Sequence, residues 1–441
     1  VSTTLTFNYT RPTGSSASVT LPVSLDLHVP KVDYVAPYVA TANTGGDIIV
    51  RGSGLSLSST GGKDVMIGTT AIPSSSYTAV SDTEIRLTHP ALPAGSYPVR
   101  VDNALGLSRS APLVVVSAPG YAAASIAYPN TAAKQVLNIV YDAERQALVV
   151  AVGYPAAGAS GDIFRYAYSG AAWAASPTTA FVPSFRDLAL STDGKKLVAV
   201  TETQMRQFDP TTLDLGVTTN APFVSFYYLS HIAMTNDGNA IVTTGVHGSG
   251  DTDTYRYSVA NGTLTSFGFG FSNSFYFGTP GVSTNGRHVT IAQGGGVSPP
   301  PDIARYDAST GLLALTGVAL NQNFMISPVL DRTGTRIIVN GYIVYDGNYS
   351  QIGGLPFVDL LGTSVGLALS PNGAKAYRYI SGTTLHTYDL TTAPVAGVFP
   401  ELGTGTTLPS NPGANPKMTI SPDGGTLFIA GSSGIVVVPA P

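Results

Sequence analysis

One phrase recurs seven times after residue 137: an apolar strand, a tight polar turn, a second apolar strand and then an aromatic residue, often followed by Asp. Such a repeat constrains the fold strongly, because each copy is one small sheet that can bury its faces only against its neighbours. The turns are Asp142-Ala143-Glu144-Arg145, Thr192-Asp193-Gly194, Asn236-Asp237-Gly238, Thr284-Asn285-Gly286, Arg332-Thr333-Gly334, Pro371-Asn372-Gly373 and Pro422-Asp423-Gly424. They lie roughly 40 to 50 residues apart, the period of a four-stranded blade. Tyr166, Phe208-Asp209, Tyr257, Tyr306-Asp307, Tyr345-Asp346 and Tyr388-Asp389 close a third strand on the same beat, with Val437 at the matching place in the last copy. Two landmarks in phase predict seven blades. Asp-Gly and Asn-Gly read as primed hairpin turns between first and second strands.

The last copy ends at Gly434-Ile435-Val436-Val437-Val438 without a fourth strand, while a spare β-like run stands at residues 122–128, ahead of the first copy. That run is expected to close the ring and remove an open sheet edge. From about residue 120 onward the chain resembles the YVTN-type seven-bladed β-propellers, through Ser421-Pro422-Asp423-Gly424 and Ser370-Pro371-Asn372-Gly373. Propellers of this shape serve as lactonases, lyases, redox enzymes and binding scaffolds, so the fold alone does not choose a function.

Upstream, Ile48-Ile49-Val50-Arg51-Gly52-Ser53-Gly54-Leu55, Val65-Met66-Ile67, Thr83-Glu84-Ile85-Arg86-Leu87 and Gly95-Ser96-Tyr97-Pro98-Val99-Arg100-Val101 are short strands between regular turn signals, which suits an immunoglobulin-like sandwich. The stretch is similar to the IPT/TIG family through Gly52-Ser53-Gly54-Leu55, Ser81-Asp82-Thr83-Glu84-Ile85, Ala94-Gly95-Ser96-Tyr97 and Asn103-Ala104-Leu105-Gly106. That likeness implies a spacer or docking module. The expectation is an all-β chain: residues 1–33 a partial immunoglobulin-like or strand-donating segment, 34–118 the sandwich, and 119–441 the propeller. In the first segment Val19, Leu21, Val23, Leu25, Leu27 and Val29 alternate with polar residues, so one apolar face wants a partner, a neighbouring domain or another subunit's sheet edge.

Composition narrows the function. The 441 residues are 43% hydrophobic and only 11% charged, with net charge −4. Lys and Arg are not clustered, which argues against nucleic acid as a partner. No apolar run is long enough to span a bilayer, and the absence of Cys excludes disulfides, thiol nucleophiles and thiolate metal sites. A Cys-free, Thr/Ser/Gly-rich β protein suits the bacterial exterior, extracellular or at the cell surface.

Long loops opposite the Asp-Gly turns mark the expected working face. Two are rich in aromatics: Phe223, Phe226, Tyr227 and Tyr228, then Phe269, Phe271, Phe275 and Tyr276. These rings either fill the gaps between blades or form a platform for a glycan or a protein. At the channel ends of the innermost strands stand Asn138, Arg186, Asp187, His231 and Lys417. Asp187 and His231 are the outside candidates for catalysis, and Asp251 and Asp253 are weak candidates for a cation; no cofactor is expected. The first expectation is therefore a non-catalytic binding or adhesion protein with a propeller head on an immunoglobulin-like stalk. The alternatives are a subunit of a surface filament or layer assembled through residues 1–33, and a propeller lactonase or lyase.

Overall fold

In the computed structural model of the chain, the strands from Ala124 onward sort into seven four-stranded antiparallel sheets. It describes residues 2–24, 30–55, 64–103, 106–129, 135–153, 160–223, 227–246, 253–268, 278–293, 302–320, 326–357 and 365–441. Blades 1 to 6 have strands within 135–182, 185–220, 227–266, 278–319, 329–354 and 366–407. Blade 7 pairs Lys417–Ile420, Thr426–Gly431 and Gly434–Pro439 with Ala124–Ile126, so that Ala124 faces Val437 and Ile126 faces Ile435. The fold is all-β, an immunoglobulin-like sandwich followed by a seven-bladed propeller, and no α-helix occurs among the described residues.

Second strands sit between neighbouring blades and are covered on both faces. Ala147–Gly153, Leu197–Thr201 and Thr426–Gly431 are accordingly buried along their whole length. Each Val, Leu or Ile buried there contributes roughly 1.5–3 kcal/mol.

The turns correct one detail of the sequence reading. A primed hairpin needs positive φ at both central residues. Here Gly194 has φ +67° while Asp193 does not join it in the left-handed region. Gly194 N donates to Ser191 O at 2.8 Å, and Leu190 pairs with Leu197. These are longer loops built on an ordinary turn that ends in a left-handed glycine. A side-chain clamp holds them: Ser191 Oγ donates to Asp193 Oδ1 at 2.7 Å, and Ser283 with Asn285 and Ser370 with Asn372 do the same at 2.8 Å.

The N-terminal sandwich has one sheet of Lys31–Ala36, Gly46–Ser53, Glu84–His89 and Tyr77–Ser81, and a second running through Val39–Thr41, Ala111–Val116, Gly95–Asn103, Val65–Ile67 and Thr70–Ile72. Val35, Val50 and Ile85 of the first meet Val65, Ile67, Val99 and Leu113 of the second in one core. Before it, Ser2–Thr10 and Ser16–Ser24 pair as a hairpin, with Leu5 opposite Leu21 and Phe7 opposite Val19.

Candidate functional site

The first strands of blades 1, 2 and 3 share an irregularity. Their registers shift between Val136 and Asn138, Phe185 and Asp187, and Leu229 and His231. A bulge re-aims the side chain beyond it. Asn138, Asp187 and His231 thereby line the central channel, and Lys417 joins them from the start of the first strand of blade 7. Blades 7, 1, 2 and 3 thus give the channel a polar arc. Blades 4, 5 and 6 answer mainly with Pro280, Gly281, Pro328 and Val365 beside Ser327, their other polar lining residues being Ser283, Thr284 and Arg332 at the turn end. Gly281 is required where blades 4 and 5 approach, since a Cβ there would stand 1.9 Å from Pro328 O. The cavity holds about 440 Å³.

The polar arc is largely tied to itself. Asn138 Nδ2 donates to Asp187 Oδ1 at 2.9 Å and to Leu188 O at 3.0 Å. Asp187 accepts from Leu188 N at 2.7 Å and from Ile232 N at 3.0 Å, and His231 Nδ1 lies 3.4 Å from its Oδ2. The buried carboxylate therefore replaces its hydration with donors from blades 1, 2 and 3, and straps those blades together. The His231 ring makes no other polar contact with a described residue and lines the channel beside Asp187. Lys417 differs: its ammonium has no hydrogen bond or ion pair with any described residue. Burial in the ring pushes its ammonium below the usual 10.5, and the charge of Asp187 opposes that shift.

One end of the channel is closed by the sandwich. Pro37, Tyr38 and Val39 line that end, and Tyr38 and Val39 share an apolar cluster with Ala143 of blade 1. Tyr38 lies over Gly194, where a Cβ would come within 2.1 Å of its ring. Beside it, Tyr34 donates its hydroxyl to Asn236 O. Arg51, paired with Glu84 at 2.6 Å, reaches Asn236 Oδ1 and Ala308 O at 3.1 Å each. These contacts bury Asn236 completely. Sequence reasoning missed Tyr34, Tyr38 and Arg51; an unusual density of Tyr at the start of the sandwich was the one signal that pointed to them.

On the opposite face, the aromatics divide. Phe223 packs 6.1 Å from Tyr227 and 5.9 Å from Tyr255, against the core between blades, which is the gap-filling role. Tyr228 is half-buried with the Arg186 guanidinium 4.5 Å above its ring, and Arg186 is paired in turn with Glu202. Phe226, Phe269, Phe271, Phe275, Tyr276 and Asp251 lie outside the described residues, as do Leu25, Leu27 and Val29. Asp253 caps a strand end, accepting from Thr254 N at 2.7 Å and from Ser266 Oγ. No group of three or more His, Asp or Glu among the described residues is placed to hold a metal ion. In the hairpin, Leu5, Phe7, Tyr9, Val19 and Leu21 are about half exposed, and Val23 continues their face opposite Thr3.

Residues 30–115 match the family model of the IPT/TIG domain. No curated protein matches the chain. Among solved structures, a Kuenenia stuttgartiensis hydrazine synthase chain is similar at 12% identity and TM-score 0.50, covering 71% of this chain and 97% of its own. A Bacteroides thetaiotaomicron protein of unknown function is 13% identical at TM-score 0.37, over 93% of this chain and 98% of its own. At such identities the first likeness speaks to fold alone, and the second carries no argument. Among the described residues no helix is long and apolar enough to cross a membrane. The chain carries an IPT/TIG domain at residues 30–115, joined to a seven-bladed β-propeller.

Proposed function

We propose that this is a non-catalytic binding or adhesion protein of the bacterial exterior, whose propeller meets a glycan or a protein with the face opposite the Asp-Gly turns. The observation that carries this reading is the seat of the IPT/TIG domain on the turn face, with Tyr38 over Gly194 and Arg51 on Asn236. A face covered in cis is lost to partners, so the other is left for recognition. Tyr228 with Arg186 offers an aromatic and a cation there, a pairing suited to sugars and to protein surfaces. Asp187 weighs against the lactonase or lyase alternative, because its oxygens are already engaged by Asn138, Leu188 N and Ile232 N. Screening the chain against glycans and cell-surface proteins tests the proposal. Tyr228→Ala should weaken the binding found while leaving the unfolding midpoint nearly unchanged. Metal-dependent turnover abolished by His231→Ala would replace the proposal with the enzymatic one.

The half-exposed apolar face of the hairpin favours a second reading, assembly through residues 1–33. Ser16–Ser24 is already paired along its length with Ser2–Thr10, so association would use the face or the free edges of a formed hairpin rather than a lone donated strand. Light scattering with and without residues 1–33 tests it: assembly should vanish on deletion, and a monomer in both cases would remove this reading.

A further inference from the structure

We propose that the propeller channel is a binding site for a small organic acid, its carboxylate held by Lys417 and its apolar body laid against Pro280, Pro328 and Val365. The site is independent of the loop-face partner. Two cations line the channel. Arg332 stands at the sandwich end with one guanidinium nitrogen donating to Pro422 O at 3.0 Å and its Nε buried without a partner, whereas the Lys417 ammonium pairs with no described residue. An ammonium held inside a ring without a direct ion-pair partner is costly. Asp187, the one carboxylate among the lining residues, is engaged by Asn138, Leu188 N and Ile232 N and strapped into the wall. A ligand carboxylate would give Lys417 the direct partner that Asp187, held in the wall, does not. The rest of the wall decides its kind. One unpaired ammonium suits one carboxylate better than a phosphate, while the proline arc suits a hydrocarbon body. About 440 Å³ is the size of a metabolite site, and Tyr38 closes one end, so the body has a floor to rest on.

Calorimetric titration of the full chain with hexanoate and benzoate, against hexanamide, benzamide and acetate, tests this assignment. The two longer acids should bind at least ~10-fold more tightly than their amides, which keep the shape but lose the charge, and more tightly than acetate, which keeps the charge but loses the body. Lys417→Met, which keeps the length of the side chain without its charge, should abolish the preference for acid over amide, and Tyr228→Ala should leave it unchanged. Amides binding as well as acids, acetate binding as well as hexanoate, or no acid binding at millimolar concentration would each overturn the proposal. Acid binding unchanged in Lys417→Met would also overturn it. Should Lys417→Met not fold, the comparison of acids with amides on the unaltered chain decides by itself.

Discussion

The two faces of the propeller come from the same seven copies yet are finished differently. On the turn face the loops of blades 2, 3, 4 and 6 are clamped by a Ser or Thr two residues before an Asp or Asn, and six of the seven turns carry a glycine in the left-handed region, blade 1 having Gln146 instead. That regularity makes a firm bed, and the IPT/TIG domain lies on it through Tyr34, Tyr38 and Arg51. On the other face the connections vary in length and composition from blade to blade. A regular surface can be matched by one rigid partner in cis, whereas an irregular one can be specialised. The comparison teaches that the repeat supplies the platform and the departures from the repeat supply the candidate recognition.

Perturbing the seat should have the largest effect. Tyr38→Ala removes a ring that is 9% exposed and should cost about 3–5 kcal/mol. Calorimetry would show the IPT/TIG domain melting apart from the propeller; one unchanged transition would mean that the two units are not coupled there. Asp187→Ala should come next, at about 3 kcal/mol, because Asn138, Leu188 N and Ile232 N lose their acceptor. Urea unfolding measures it, and Asp187→Asn, which keeps one acceptor oxygen, should cost less.

A matched pair of glycines sharpens the contrast between faces. Gly194 and Gly382 have φ of +67° and +76°, but only at Gly194 would a Cβ meet a side chain, Tyr38, whereas nothing lies within 4 Å of Gly382. Alanine at either should pay the left-handed penalty of about 1 kcal/mol, and Gly194→Ala should cost about 2 kcal/mol more. Equal losses would show that the seat does not constrain the turn.

The turn face also carries a pH response. Burial, with Arg305 beside it, lowers His288 from 6.5 to about 4. Asp307 lies 3.7 Å away and opposes the shift, while Arg287 and Arg86 of the sandwich add to it. The unfolded chain takes up this proton near its ordinary value and the folded chain does not. Stability is therefore full above about pH 6.5 and falls as pH drops toward about 4. His288→Gln should flatten that part of the melting-temperature profile. The smallest effect on stability belongs to the loop face: Tyr228→Ala should cost below about 1 kcal/mol and act on partner binding instead.

Much of this was legible because turn chemistry is local. Of the five residues that the sequence pattern placed at the channel, Asn138, Asp187, His231 and Lys417 line it, whereas Arg186, one residue out of step at the bulge, stacks on Tyr228 instead. The same pattern could not reveal the bulges at Leu137, Arg186 and Ser230, since an extra residue leaves the hydrophobic pattern almost intact. Nor could it show that Asp187 is a strap, which depends on the Asn138 side chain of one neighbouring blade and the Ile232 backbone of the other. The seat of the IPT/TIG domain was hidden for a related reason. Tyr38 meets Gly194 and Arg51 meets Ala308 across more than a hundred residues of chain, and such contacts have no period to read.

The most direct test of the central claim, that the IPT/TIG domain closes the turn face, exploits the absence of Cys from the chain. Thr192 lies in a turn beneath Tyr38 and donates to Thr235 O at 3.1 Å, while Thr203 is exposed in the second-to-third loop of the same blade. Thiol labelling of Thr192→Cys should be at least ~10-fold slower than that of Thr203→Cys, and Tyr38→Ala should bring the two rates together. Equal rates with Tyr38 in place would contradict the closed face and, with it, the assignment of recognition to the other side.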